Sequence, residues 1–276
     1  MSTPEYLFER RNKAGSRLID KITSQRKIIL LLDYDGTLVP IKKKPSLALL
    51  SASMHKLLKT LAAHSNFIVI VVTGRSFSDI KKLIGIKNII YASNHGFQIS
   101  GNRIKWIHPG VERNLSNIKK ISFSLNDALK SFPATFVEDK KLTLSVHFRN
   151  EKNNFIPVVK KIVAKSIQPF QENIIKTTGK KVIEIRPNIN WNKGKAVLKI
   201  LTMLQHRKNK NSVICLGDDK TDEDAFRALK NKAITIHVGS KRNTQAHFYL
   251  YNSKQVKTFL EMILLQNKIK FPMLSG

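Results

Sequence analysis

The sequence predicts an α/β protein on a largely parallel sheet, interrupted by a smaller α+β unit. Three observations carry this. Short runs such as Ile28–Leu32 and Phe67–Val72 are apolar on both faces, as in strands buried from both sides of a parallel sheet. Helical periodicity follows those runs, giving an alternating strand–helix rhythm. The rhythm breaks in the middle of the chain, where apolar and polar residues alternate as in a sheet with one covered face.

Residues 1–27 read as a polar lead-in with some helical content. The first strand, Ile28–Leu32, stops abruptly at Asp33. Residues 46–64 carry Leu50, Met54, Leu57, Leu58 and Leu61 at helical spacing, and Phe67–Val72 is a second buried strand. A short helix over 76–84 and a strand over Ile89–Ala92 follow. Phe97–Ile107 reads as a hairpin turned by Ser100-Gly101-Asn102. A helix is expected over 111–132 and a turn at Glu138–Lys141. Leu142, Leu144, Val146 and Phe148 then alternate. A helix over 155–170 and a strand over Lys181–Ile185 complete the α+β unit, residues 109–188. The α/β rhythm returns with a helix at Lys193–Gln205, a strand at Ser212–Leu216, a helix at Asp222–Lys230, a strand at Ala233–Val238 and a helix at Val256–Asn267. Residues 1–108 and 189–276 therefore form one core and 109–188 an insertion.

Composition narrows the function classes. Hydrophobic residues at 42% and charged residues at 25% are those of a globular chain with a real core. Cys215 is the only cysteine, which excludes an intrachain disulfide and a cysteine-rich zinc site. No apolar run is long enough to span a bilayer, and the first residues carry no secretory h-region, so a cytoplasmic protein is expected. Net charge is +30, from 37 Lys and 12 Arg against 19 acids. Such a balance attracts anions. A lysine-coated surface spread along the chain accounts for it more simply than a dedicated nucleic-acid site, and no nucleic acid is expected as partner. Aromatics, at 8%, are not interleaved with basic clusters as stacking platforms would be.

Chemistry concentrates where three apolar strands end: Asp33-Tyr34-Asp35-Gly36-Thr37, Thr73-Gly74-Arg75 and Gly217-Asp218-Asp219. Functional groups of open parallel sheets gather at the carboxyl ends of strands, so the three should converge. An acid directly after five apolar residues is costly unless paired or on a metal. Asp33 and Asp35 with Asp218, and with Asp219 or Asp222, make a carboxylate cluster whose repulsion a hard cation relieves, and oxygen-only ligands favour Mg²⁺. Asp222 has a plainer reading as the cap of the following helix. A carboxylate beside such a cation can attack phosphorus, and a second one two residues on can move the proton. Thr73 offers a hydroxyl at a strand end, and Lys193 or Lys195 a cation at a helix start.

Taken in order, DYDGT at 33–37, T-G-R at 73–75, Lys193 and GDDKTD at 217–222 resemble the four motifs of the haloacid dehalogenase superfamily. The resemblance implies a Rossmann-like core. It makes Asp33 the nucleophile and Asp35 the general acid/base, with Thr73 and Lys193 binding the phosphoryl group. Mg²⁺ would sit on Asp33, Asp218 and the backbone carbonyl of Asp35, with Asp222 in support. Only 40 residues separate Asp33 from Thr73, against 120 from Thr73 to Lys193, so the insertion corresponds to a C2-type cap that selects substrate.

Finer motifs resemble the trehalose-6-phosphate phosphatase family: LLDYDGTLVPI at 31–41, Asn94-His95-Gly96, Ser145–Arg149, Glu184–Pro187, Trp191–Gly194 and GDDKTDEDAF at 217–226. The likeness runs from about residue 28 to 240. It implies a sugar-phosphate substrate held by Glu138, Arg149, Lys180 and Glu184 of the cap and by Gly74, Arg75, Asn94 and His95 of the core. A stand-alone, monomeric phosphatase is expected. A phosphatase for sucrose phosphate or mannosylphosphoglycerate would share the core chemistry, and a basic polyanion-binding protein is the reading from another class.

Overall fold

In the computed structural model, residues 4–8, 14–25, 27–42, 45–179, 181–205, 211–240 and 243–271 are described. The main sheet is built outward from β2 (Ile28–Leu32), whose five side chains are all buried. It is flanked by β3 (Phe67–Val72) and β11 (Ser212–Gly217), both parallel to it. With β1 (Glu5–Tyr6), β4 (Ile90–Ser93), β5 (Gln98–Gly101), β6 (Ile104–Ile107), β12 (Ile234–Val238) and β13 (Phe248–Leu250), the order is β1-β13-β12-β11-β2-β3-β4-β5-β6. Every pairing from β1 across to β4 is parallel, and β5 runs antiparallel to β4. Apolar residues on both faces of β2 and β3 are what a sheet covered on both sides requires.

The chain divides into two compact units. Unit one comprises Met1–Gly74, Ser78–Lys105 and Asn192–Gly276; unit two comprises Arg75–Phe77 and Trp106–Trp191. Unit two contains an antiparallel sheet ordered β7-β8-β10-β9, with β7 at Phe136–Asp139, β8 at Leu144–His147, β9 at Ile174–Gly179 and β10 at Val182–Pro187. One face of this sheet packs Leu144, Val146, Ile183 and Ile185 against helices α5 (Leu115–Ala128) and α6 (Ile156–Ile167). Strand alternation sends Glu138, Ser145, His147 and Glu184 to the other face. Near the ends of unit two, Trp106 and Trp191 place their rings 5.5 Å apart, His108 lies edge-on to Trp191 at 4.8 Å, and Arg186 Nη1 donates to the Trp191 carbonyl.

Three expectations about elements are corrected, and one strand is added. The helix expected over 111–132 is two: α4 (Pro109–Glu112) begins at a proline and hands over to α5 at Asn114. The turn expected at Glu138–Lys141 comes two residues later: Glu138 and Asp139 belong to strand β7, and the chain reverses over 140–143, with the Lys140 amide donating to the Thr143 carbonyl. Strand β9 had no expectation attached to it; antiparallel pairing with β10 makes it. The helix expected from Asp222 begins at Lys220 (α8, Lys220–Leu229). Its cap is Asp219, which accepts from the Thr221 and Asp222 amides, so Asp222 is the third helical residue rather than the cap. The lead-in contains α1 (Ala14–Thr23), helix α2 runs Ala52–Ala63 with Ser51 as its cap, and α3 runs Phe77–Ile84. Among the described residues no helix is long and apolar enough to cross a membrane.

Candidate active site

Register brings the polar clusters together. Leu32 of β2 lies opposite Val71 of β3 and Leu216 of β11, and Val72 lies opposite Ala92 of β4. Asp33, Thr73, Asp218 and Asn94 therefore leave neighbouring parallel strands at the same edge. Backbone bonds hold these exits: the Asp33 amide donates to the Leu216 carbonyl at 3.0 Å, the Thr73 amide to Ala92 at 2.9 Å and the His95 amide to Thr73 at 2.8 Å. The Tyr34 hydroxyl, buried, donates to the Ala48 carbonyl at 2.7 Å and pins the loop that follows Asp33.

Inside this edge Lys193, the first residue of α7 (Lys193–Met203), is 3% exposed and reaches two carboxylates. Its Nζ lies 2.7 Å from Asp33 Oδ1 and 2.5 Å from Asp222 Oδ1. Asp222 Oδ2 also accepts from the amides of Asp218 and Asp219. Asp33, Asp218 and Asp222 each offer an oxygen within 4.8 Å of the others. Burial, with Asp218 adding to it, pushes the Asp33 carboxyl up to about 7 against the pull of Lys193. Burial and the repulsion of Asp222 and Asp219 push Asp218 up to about 7 as well. Asp222 is raised chiefly by burial. For Lys193, burial is outweighed by Asp222, Asp33 and Asp219, so its ammonium is held charged. Three carboxylates around one ammonium leave the cluster short of positive charge.

The donor set fits a cation. Asp218 Oδ1 is buried without a hydrogen-bond partner among the described residues, and the ligands on offer are all oxygen. Gly36, at φ +90°, leaves its side-chain space to the Asp218 carboxylate, which any Cβ there would strike. Asp35 is half-buried one residue earlier, and its side chain is not one of the three clustered carboxylates. The cluster can therefore hold a hard divalent ion next to a carboxylate and a lysine, the parts a phosphoryl group needs.

Thr73 and Asn94 are buried at the strand exits. Asn94 and His95 both adopt left-handed φ, 50° and 56°, and this turns the His95 imidazole against Gly74, where a Cβ would meet it at 2.6 Å. Arg75 is buried in the segment that belongs to unit two. In that unit Glu138 Oε2 accepts from His147 Nε2 at 2.8 Å, and Glu184 Oε1 accepts from Ser145 Oγ at 2.8 Å and from Lys140 Nζ at 3.3 Å. Burial would raise the Glu138 carboxyl, but His147, Lys140 and Arg75 together hold it below its usual value. Phe136, 56% exposed, stacks on the His147 ring at 4.6 Å. Arg149 is exposed just beyond β8, and Lys180 lies outside the described residues. Sequence reading missed Lys140, and it quoted Ser145 and His147 within the Ser145–Arg149 motif without giving them a role. Had β7 been recognised as a strand, its pairing of Glu138 with Ser145 and Phe136 with His147 would have exposed them.

Comparison with known proteins gives consistent results. A family profile described as trehalose-phosphatase matches residues 31–256. Trehalose-phosphate phosphatase B of Arabidopsis thaliana is 34% identical over 264 residues, covering 90% of this chain and 70% of that protein. A crystal structure described as a trehalose-6-phosphate phosphatase related protein superposes with a TM-score of 0.77 at 27% identity, covering 88% of this chain and 99% of its own. A haloacid dehalogenase-like hydrolase from Bacteroides thetaiotaomicron shares the fold, with a TM-score of 0.58 at 12% identity, covering 87% of this chain and all of its own.

Proposed function

The chain belongs to the trehalose-phosphatase family, and on that premise we propose that it hydrolyses trehalose 6-phosphate to trehalose and phosphate, with Mg²⁺ and through an aspartyl-phosphate on Asp33. Relatives of this family are phosphoric monoester hydrolases, and so is this chain. The observation that carries the mechanistic reading is the meeting of Asp33 Oδ1 and Lys193 Nζ at 2.7 Å from positions 160 residues apart.

In this reading an Asp33 oxygen attacks phosphorus while the bond from phosphorus to the sugar oxygen breaks. Asp35 delivers a proton to that oxygen. It then takes a proton from water, whose oxygen attacks phosphorus and frees the Asp33 carboxylate. Lys193 and the Thr73 hydroxyl hold the phosphoryl oxygens, and Lys193 favours the ionised form of Asp33 that the attack requires. Mg²⁺, when bound, supplies positive charge to those oxygens from Asp33, Asp218 and the Asp35 carbonyl, with Asp222 in support. The substrate-selecting cap is residues 109–188, where Glu138, Arg149, Lys180 and Glu184 exchange hydrogen bonds with sugar hydroxyls. In the core, Gly74 and Arg75 serve the phosphate side, and Asn94 and His95 border it.

Phosphate release from trehalose 6-phosphate, sucrose 6-phosphate, glucose 6-phosphate and mannosylphosphoglycerate, each with Mg²⁺ and with EDTA, tests the proposal. Mg²⁺-dependent release from trehalose 6-phosphate is expected to dominate. Preference for another sugar phosphate would keep the Asp33 chemistry and discard the cap roles; no release from any would overturn both.

A further inference from the structure

The last helix, α9 (Ser253–Lys270), is apolar on two opposite sides. Val256, Phe259, Leu260, Ile263 and Leu264 face the core and are buried. Met262, Leu265 and Ile269, spaced i, i+3 and i+7 on the opposite side, are 39%, 63% and 65% exposed. A stripe of three large aliphatic side chains at helical spacing is more than the scattered apolar residues of an ordinary surface. Helix α9 packs against α1 and α2, and the three form one layer of unit one. The layer's described acids, Asp20 and Glu261, are both paired with lysines of α9: Lys270 to Asp20 at 3.0 Å and Lys257 to Glu261 at 2.7 Å. Beyond those pairs the layer still presents Arg17, Lys21, Lys56, Lys59, Lys254 and Lys268, all exposed.

We propose that this layer docks on an anionic membrane surface, with the Met262–Leu265–Ile269 stripe entering the headgroup boundary and the layer's exposed cations meeting acidic lipid. Charge complementarity selects this occupant. A second copy of the chain would bring another +30 against the same basic layer. A nucleic acid would satisfy the cations but leaves three aliphatic side chains with nothing to enter, since base stacking requires aromatic faces. An acidic bilayer meets both demands at once, as for interfacial helices with an apolar stripe and a basic rim. The stripe is short, so binding should be reversible and dependent on both elements. It lies away from the carboxylate cluster in sequence and contains no residue of the proposed catalytic machinery.

Flotation of the full-length protein with phosphatidylcholine vesicles, with and without phosphatidylserine, tests this. The protein should float only with the acidic vesicles. The fraction bound should fall roughly tenfold when Leu265→Glu and Ile269→Glu are combined, and also fall when salt is raised to about 0.5 M. Trehalose 6-phosphate hydrolysis in solution, expected to be unchanged in the double variant, certifies its fold; circular dichroism certifies it independently of the functional reading. Absence of binding by the wild type to acidic vesicles would overturn the proposal. So would binding undiminished in the double variant, which would place the contact elsewhere. A concentration-dependent dimer, seen by light scattering and abolished by the same substitutions, would assign the stripe to a second copy and overturn it too.

Discussion

Asp33, Asp218 and Asp222 crowd three carboxylates around the single Lys193 ammonium inside unit one, whereas Glu138 and Glu184 of unit two each sit half-exposed among matched donors. Burial dominates the first group and drives Asp33 and Asp218 up to about 7. In the second, His147, Lys140 and Arg75 overcome burial and hold Glu138 low. Removing charges from water is costly, and a buried cluster with unmatched charge survives only where its geometry serves something other than stability. Half-exposed hydrogen bonds can instead be traded for a ligand's hydroxyls at little cost. The first region is built to hold charge at a point, the second to exchange partners.

The sharpest way to break this contrast is Asp33→Asn. It should cut kcat by at least about a thousandfold while leaving the circular dichroism spectrum unchanged; a rate near wild type in a phosphate-release assay would remove Asp33 as nucleophile. Lys193→Ala should come next. It strips the buried carboxylates of their ammonium and should cost about 3–5 kcal/mol in a urea titration with EDTA present. Glu184→Gln, beside its half-exposed partners, should cost about 1 kcal/mol or less, and equal losses would erase the distinction.

Removing the metal turns the contrast into a pH effect. Asp33 and Asp218 bind protons more tightly folded than unfolded, where their value is 3.8. Stability in EDTA should therefore fall as pH rises from about 4 through 7. Added Mg²⁺ should reduce that fall in a thermal melt, and a flat EDTA profile would show that the carboxylates are already compensated. A smaller change is expected in substrate recognition. Glu184→Gln should raise KM for trehalose 6-phosphate roughly tenfold with kcat within about twofold; a fall in kcat alone would move Glu184 into the chemistry. The smallest effect belongs to Glu138. Its lowered carboxyl contributes stability that is present above its ordinary value of 4.5 and is lost as pH falls below it. Glu138→Gln should flatten that acid limb of the melting profile.

The legibility of the two regions in sequence also differed. The strands of unit one announce themselves, because Ile28–Leu32 and Phe67–Val72 must be apolar on both faces, and their abrupt polar ends mark one edge of one sheet. That parallel logic predicts that Asp33, Thr73 and Asp218 converge. It does not predict that Lys193 bridges Asp33 and Asp222, since a helix start among 37 lysines carries no signal of where its side chain reaches. In unit two the pattern was weaker. Glu138–Lys141 looks like a turn because it is polar and charged, yet cross-strand pairing with β8 draws Glu138 and Asp139 into a strand. Misplacing that turn hid Lys140 and the contacts that Ser145 and His147 make, since these show only as cross-strand or turn neighbours of Glu138 and Glu184. The short strands β1 and β13 carry too few residues for any period to show.

Trp106 and Trp191 are the only two tryptophans in the sequence, and both belong to unit two with rings 5.5 Å apart. Trp106 lies in β6 of the main sheet and Trp191 directly precedes the Asn192 cap of α7, so indole emission reports events that reach the Trp106–His108–Trp191 group, at two points where the chain passes between the units. A melt followed by tryptophan fluorescence tracks the loosening of that junction, while far-ultraviolet dichroism follows the helices and strands of the whole chain. Any gap between the two curves measures how far the junction opens apart from the rest of the fold.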